Sequence, residues 1–213
     1  LCSTSAPQLC CEGGSDGDIV QAETFTVKGR GYYPYRTRAN LKIQEGCDFF
    51  CHYCIVPYAR GRPRSREWDD VLREARELID SGYRELVLTG VNIACYEHGG
   101  RKLPDLVDAL TRLPGAFRVR LSSTEPTPVI RPLVDVMYGN DKVCRFLHLP
   151  AQYAEDGILQ AMNRHYDLDE YGKLVSYAVA RLPGLCLGTD IMVGYPGESD
   201  AAFEACLRNV EAL

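Results

Sequence analysis

From Leu41 onward the chain alternates short apolar runs with stretches whose apolar residues recur at helical spacing. No other feature limits its fold as tightly. Leu41–Gln44, Glu85–Thr89, Arg118–Leu121, Arg145–Leu149 and Leu185–Val193 read as strands. After the first, Val71, Leu72, Ala75, Leu78 and Ile79 share one helical face; after the second, Leu103, Leu106, Val107 and Leu110 share another. Ser65 is placed to cap the first helix, with Glu67, Asp69 and Asp70 favourable near its positive end. Pro104 opens the second, and Pro114-Gly115 closes it. Further helices are expected over 130–138, 156–163, 168–181 and 200–213. Five strand–helix units in succession specify an α/β fold, a parallel sheet with helices outside, either open and doubly wound or a partial barrel. In both, ligands meet the C-terminal ends of the strands.

Order is expected to begin near Arg38. Residues 1–35, rich in Gly, Ser, Asp and Cys, read as a linker or the remnant of a missing N-terminal domain, and 36–213 as one core domain. Hydrophobic residues make up 46% of the chain, enough to bury a core. No run approaches the roughly 18 apolar residues of a membrane span. The start, LCSTSAPQLCC, lacks the basic end and apolar stretch of a secretory signal. No membrane partner and a cytoplasmic location are therefore expected. With a formal net charge of -5, any nucleic acid must be met by a local basic patch.

The chemistry concentrates in GCDFFCHYCIVPYARGRPRSR, Gly46 to Arg66, directly after the first strand. Its thiols are spaced Cys47-x3-Cys51-x2-Cys54. The chain has ten cysteines, but without a secretory signal a disulfide scaffold is disfavoured. Cys144, Cys186 and Cys206 fall in apolar periodic segments and read as buried thiols. A structural zinc site wants four ligands, usually from paired knuckles; there is no second knuckle, though Cys95 could complete such a site. Three thiolates suit a 4Fe–4S cluster better, with one iron left open to a ligand. Tyr53 would set an aromatic ring beside that open corner. Arg60, Arg62, Arg64 and Arg66 form a cationic loop, extended by Arg36 and Arg38, that could grip phosphates. Tyr58 or Phe49 could stack on a splayed base. Polar residues follow each later strand: Gly90 and Asn92, Ser123 and Glu125, Gln152, and Gly194 to Glu198. That placement is what a site at a barrel mouth requires.

The tripeptide spacing with Tyr53 resembles the radical S-adenosylmethionine (SAM) superfamily. More specifically, LKIQEGCDFFCHYCIVPYARGRPRSR, ELVLTGVNIACY, RVRLSSTEP, RFLHLPAQ, AMNRHY and TDIMVGYPGESDAAFE resemble, in order, the core of the methylthiotransferases. The likeness runs from about Tyr35 to Leu213. IQEGC with PYARG, LTGVN and RLSSTEPT look closest to the branch that methylthiolates N6-threonylcarbamoyladenosine beside a tRNA anticodon. The isopentenyladenosine and ribosomal-protein branches are near relatives.

The resemblance implies a partial (β/α)6 radical SAM barrel, here without its last strand. It implies that Cys47, Cys51 and Cys54 hold a 4Fe–4S cluster whose open iron chelates SAM. Tyr53, Gly90, Asn92, Ser123, Glu125, Gln152, Gly194 and Pro196 would line the SAM cradle. Cleavage of SAM would give a 5′-deoxyadenosyl radical that takes hydrogen from C2 of the adenine. A sulfur from a second 4Fe–4S cluster, methylated by another SAM, would then bond to that carbon. Arg60, Arg62, Arg64 and Arg66 would contact the anticodon stem-loop of tRNA, and a small protein such as flavodoxin would donate electrons.

This sequence departs from the family pattern in three ways. Where Leu-Pro-x-Gln is usually followed by Ser-Gly-Ser-Asp, it has Tyr153-Ala154-Glu155-Asp156, a bulky acidic loop, then Gly157 where arginine is common. Cys2, Cys10 and Cys11 do not have the spacing of the sulfur-donating cluster, which is expected on a part of the enzyme not in this chain. The C-terminal RNA-binding barrel is likewise not in it. A rival reading without catalysis is a zinc-stabilised nucleic-acid-binding module built on the arginine loop.

Overall fold

The computed structural model of the chain describes residues 24–27 and 37–212. Its main ladder is parallel. β2 (Arg38–Lys42), β5 (Glu85–Thr89) and β8 (Arg118–Leu121) pair side by side, with Leu41, Leu88 and Leu121 in one row. β9 (Phe146–His148) and β10 (Cys186–Gly188) form a second parallel pair, and β6 (Glu97–His98) and β7 (Arg101–Lys102) a short antiparallel one. A bridge from Val119 to Val143 and a bond from Thr124 N to His148 O at 2.9 Å carry the succession across from β8 to β9. The result is the expected curved α/β layer, a partial barrel of β2-β5-β8-β9-β10.

Helices cover its outer face: α2 (Trp68–Asp80), α3 (Leu103–Thr111), α4 (Ile130–Tyr138), α5 (Asp156–Ala161), α6 (Leu168–Arg181) and α7 (Asp200–Ala212). Their apolar stripes supply the core: Val71, Ala75 and Leu78 from α2, Leu106, Val107 and Leu110 from α3, Leu133 and Val134 from α4. In β5 Leu86, Val87 and Leu88 are all buried, as befits a strand covered on both faces. Asp167 and Glu170 form a reciprocal capping box at the start of α6. No helix among the described residues is long and apolar enough to cross a membrane.

Several sequence expectations change. Ser65 does not cap α2. It lies in β4 (Arg64–Arg66), the middle strand of a small sheet with β1 (Thr24–Phe25) and β3 (Gln44–Glu45). Its hydroxyl accepts from Glu97 N at 2.8 Å instead, and Glu67 takes the cap position. Because β1 pairs with β4 and buries Phe25, packing begins before the expected boundary at residue 35. The rest of 1–35, with Cys2, Cys10 and Cys11, and also Arg36, lies outside the described residues. Leu185–Val193 is not one strand. After Gly188 the pairing passes to Gln152, which donates its N–H to Asp190 O at 2.8 Å and accepts from Met192 N at 2.7 Å. Cys144 and Cys206 are buried as expected, but Cys186, the first residue of β10, is exposed.

The altered loop at the end of β9 is built in. Tyr153 turns fully into the core. Glu155 caps α5, accepting from Gly157 N and Ile158 N, each at 2.9 Å. The bulk and the acid that set this loop apart are thus absorbed by core and cap.

Candidate functional site

The thiol loop leaves β3 at the C-terminal end of the barrel. Gly46 starts it in the left-handed region, φ +74, and a Cβ there would lie 2.2 Å from Arg62 O and 2.7 Å from Gly61 O. Cys47 N donates to Gly61 O at 3.0 Å, so the two ends of the loop close on each other. The ring includes α1 (Val56–Arg60), one short helix that the sequence pattern did not reveal. Gly46→Ala is expected to force these backbones apart. Iron bound after anaerobic reconstitution should fall severalfold, measured against the unchanged chain, while the helical circular dichroism stays.

Gln44 and Glu45 anchor the ring. Gln44 Oε1 accepts from Asn92 N at 2.7 Å, and its amide donates to Gly46 O at 2.7 Å. Lys42 and Arg60 both pair with Glu45. Burial works to raise the Glu45 carboxyl, but hydrogen bonds from those two cations outweigh it and hold it below its ordinary value. At Gly90 a Cβ would sit 2.9 Å from Gln44 Cβ, so this glycine lets the second strand end pass close behind the loop.

A segment more than a hundred residues away clasps the loop from outside. His52 N donates to Met162 O at 3.0 Å, and the His52 ring Nδ1 lies 2.7 Å from Ala161 O. Asn163, itself at φ 58, donates from its amide to Phe49 O at 3.2 Å and to Phe50 O at 3.0 Å. The Phe49 ring stacks on His165, centroids 4.9 Å apart, and is spent on that contact rather than held free for a base. Arg164 reaches Cys51 Sγ at 3.2 Å and Tyr53 Oη at 3.1 Å from one nitrogen, and pairs with Glu125 from another.

Cys47, Cys51, Cys54, Tyr53, Asn92 and Glu125 are thereby brought to one rim. Cys51 is buried, and Cys47 and Cys54 are half-buried. Burial pushes the Cys47 thiol up, with neighbouring Cys51 and Asp48 adding to it. Burial also raises the Tyr53 phenol and, despite Arg164, the Glu125 carboxyl. Ser123 stands beside His148, Oγ 3.1 Å from Nδ1. Gln152 holds a left-handed φ of 64, a strained backbone for a non-glycine residue and one typical of functional loops. Gly194, at φ +77, and Pro196 belong to an exposed turn held by Glu198, which accepts from Gly194 N and Tyr195 N. Tyr195 Oη donates to Ala161 O at 3.0 Å and ties that turn to the clasp.

The arginine loop divides. Arg66 is fully buried against Asp70 and Glu74, and Arg64 is 5% exposed, so neither can reach a phosphate. Arg38 sits at the opposite end of its strand, paired with Glu85 at 2.8 Å. Only Arg60 and Arg62 of the four are exposed, and Arg60 already holds Glu45. Around them Tyr58 and Ile55 stand 70% and 72% exposed.

These residues fit an iron–sulfur cluster and its ligand. Among the described residues no three His, Cys, Asp or Glu side chains converge as a single-ion site requires. Cys95, the residue that would complete a zinc site, is half-buried, and burial with nearby Cys47 pushes its thiol up to about 12. A cubane binds each thiolate at a different corner, so its ligands need not meet at one point. Asn92 Oδ1, buried beside Cys47, has no hydrogen-bond partner among the described residues and can take a donor from a ligand.

A partial parallel barrel with a three-thiol loop at its C-terminal mouth defines a class, and sequence comparison agrees. The family model of the radical SAM superfamily matches residues 41–210, and the chain belongs to that family. A 4Fe–4S cluster and SAM are accordingly its cofactors. The chain is 39% identical over 191 residues to the threonylcarbamoyladenosine tRNA methylthiotransferase MtaB of Bacillus subtilis, covering 87% of this chain and 42% of that protein. It is 40% identical over 205 residues to a tRNA-2-methylthio-N(6)-dimethylallyladenosine synthase of Cereibacter sphaeroides, covering 95% of this chain and 47% of that one. The chain thus spans about half the length of these relatives. Among solved structures, the radical SAM methyltransferase TsrM of Kitasatospora setae shares the fold with a TM-score of 0.72 at 19% identity, over 91% of this chain and 40% of that one.

Proposed function

We propose that this chain is the radical SAM core of an enzyme that methylthiolates a modified adenosine next to a tRNA anticodon. N6-threonylcarbamoyladenosine is the first choice of substrate, on the likeness of IQEGC, LTGVN and RLSSTEPT to that branch, and the dimethylallyl-type adenosine is the second, since relatives named for it are as similar. The observation that carries the reading is the rim itself: the three thiols and Tyr53 of one loop, with Asn92 and Glu125 from the ends of two neighbouring strands beside them.

When bound, the cluster and SAM supply the one-electron chemistry that ends with hydrogen taken from C2 of the adenine. The protein's part is to hold and orient. Cys47, Cys51 and Cys54 ligate the cluster, while Gly90, Asn92, Ser123, Glu125, Gln152, Gly194 and Pro196 shape the SAM cradle. Tyr53 packs on its adenine side. The second 4Fe–4S cluster that supplies sulfur lies on a part of the enzyme outside this chain, and a small flavodoxin-like protein delivers electrons in the cytoplasm.

The deciding experiment is anaerobic reconstitution followed by incubation with SAM, reductant and anticodon stem-loops carrying either modification. Formation of 5′-deoxyadenosine, with deuterium transferred from C2 of one of the two adenosines, is expected. Stoichiometric zinc without iron in anaerobically purified protein would overturn the reading in favour of a nucleic-acid-binding module. Stimulation by a ribosomal protein but by neither RNA would assign another substrate.

Arg62, with Arg60 beside it, is proposed to meet RNA phosphate, with Tyr58 offering a face for a base. Arg62→Ala is expected to weaken stem-loop binding uniformly across sequences. In a salt titration the slope of log affinity should fall by about 1, the loss of one phosphate contact. An unchanged slope would remove Arg62 from the interface.

A further inference from the structure

We propose that Arg164 is a positioning residue that sets the reduction potential of the cluster held by Cys47, Cys51 and Cys54. The inference rests on the cluster assignment above and adds to it a residue that no ligand spacing points to. Arg164 is separated from Cys51 by 113 positions, yet its Nη1 lies 3.2 Å from Cys51 Sγ. The side chain is only 3% exposed.

Its guanidinium is fixed on every side. Nη1 also donates to Tyr53 Oη at 3.1 Å. Nη2 pairs with Glu125, and Nη2 and Nε donate to Tyr166 Oη at 2.9 and 3.1 Å. Tyr166 gives its single proton to the carbonyls of Ala151 and Pro150, at 2.8 and 3.0 Å, which turns its lone pairs toward the arginine. The bonds from Asn163 to Phe49 O and Phe50 O hold the thiol loop against the same segment, so the contact to sulfur is not left to a free side chain.

A cluster's potential follows net charge, hydrogen bonds to sulfur and exposure to solvent. Reduction adds negative charge. A buried cation donating to one thiolate stabilises the reduced form and raises the potential. Glu125, on the far side of the same guanidinium, cancels part of that effect. Arg164 and Glu125 should therefore move the potential in opposite directions, a pattern that loss of packing does not produce.

The test uses the chain reconstituted anaerobically without SAM, with iron content measured and an EPR-monitored redox titration run on each variant. For Arg164→Met the ratio of reduced to oxidised cluster at a fixed potential should fall about tenfold, equivalent to about 59 mV for a one-electron couple. Arg164→Lys, which keeps the charge, should lie between. Glu125→Gln should shift the midpoint upward. If the unchanged chain binds no iron, the cluster assignment fails first. If Arg164→Met binds iron at the unchanged midpoint, the proposal is overturned. If Arg164→Met loses the cluster, Glu125→Gln decides: an upward shift supports the proposal, and an unchanged or lower midpoint overturns it.

Discussion

Cys51→Ala is expected to abolish the cluster and, with it, reductive cleavage of SAM. Cys51 is the buried member of the three thiols, and two contacts hold it in place. Arg164 donates to its sulfur, and Cys54 N donates to its carbonyl at 2.9 Å, which fixes the spacing to the third ligand. A methyl group in its place removes one of three ligands and leaves a buried guanidinium without that acceptor, so partial occupancy is not an easy fallback. Reconstituted iron should fall from about four atoms per chain to background, and 5′-deoxyadenosine should not form. Cys144→Ala, at a buried thiol beside Arg120, should keep both. A Cys51→Ala chain that binds iron as well as the unchanged one would falsify the assignment of the whole loop.

Much of this site could be read in advance because it is local. Cys47, Cys51, Cys54 and Tyr53 lie within one loop, and the strand at Glu85–Thr89 and the helix at Ile130–Tyr138 fall where their patterns place them. The misreadings share a different cause. The arginines from 60 to 66 recur every second residue, which suits a strand as well as a loop, and β4 takes Arg64 and Arg66 into the interior. A partial signal was present: Asp70 and Glu74 stand four apart on one helical face, just after Arg66, and offer it two carboxylates. The clasp had no such signal. Asn163 meets Phe49 across 114 positions, and nothing in AMNRHY says which loop it will touch. Likewise Tyr153 and Glu155 look disruptive as letters, but one enters the core and the other caps a helix.

Arg66 is where the largest loss of stability is expected, because it is a fully buried cation with two carboxylates. Its Nε donates to Asp70 at 2.6 Å, Nη1 pairs with Glu74 and also donates to Lys42 O at 3.1 Å. Its backbone N–H donates to Ile43 O at 2.8 Å and its carbonyl accepts from Tyr96 Oη at 3.0 Å. It thus joins α2, β4 and the end of β2 beneath the thiol loop. Arg66→Met keeps most of the volume but leaves Glu74 buried without its cation, and breaking such a pair costs about 3–5 kcal/mol. At about 3 kcal/mol per molar urea, the unfolding midpoint should drop by more than about 1 M. Replacing Glu74 by leucine and Asp70 by asparagine in the same chain should recover part of the loss, since removing the charges together avoids the stranded carboxylate. The pH profile supplies a second readout. Burial raises the Asp70 carboxyl, but hydrogen bonds from Arg66 and Arg73 outweigh it and hold it below 3.8, its ordinary value. The stability it contributes is complete above that value and is lost as pH falls through the lower, folded one. In Arg66→Met that acid-sensitive increment should shrink, leaving Arg73 to hold what remains. An unchanged urea midpoint together with an unchanged acid limb would mean that the buried triad adds nothing to the fold.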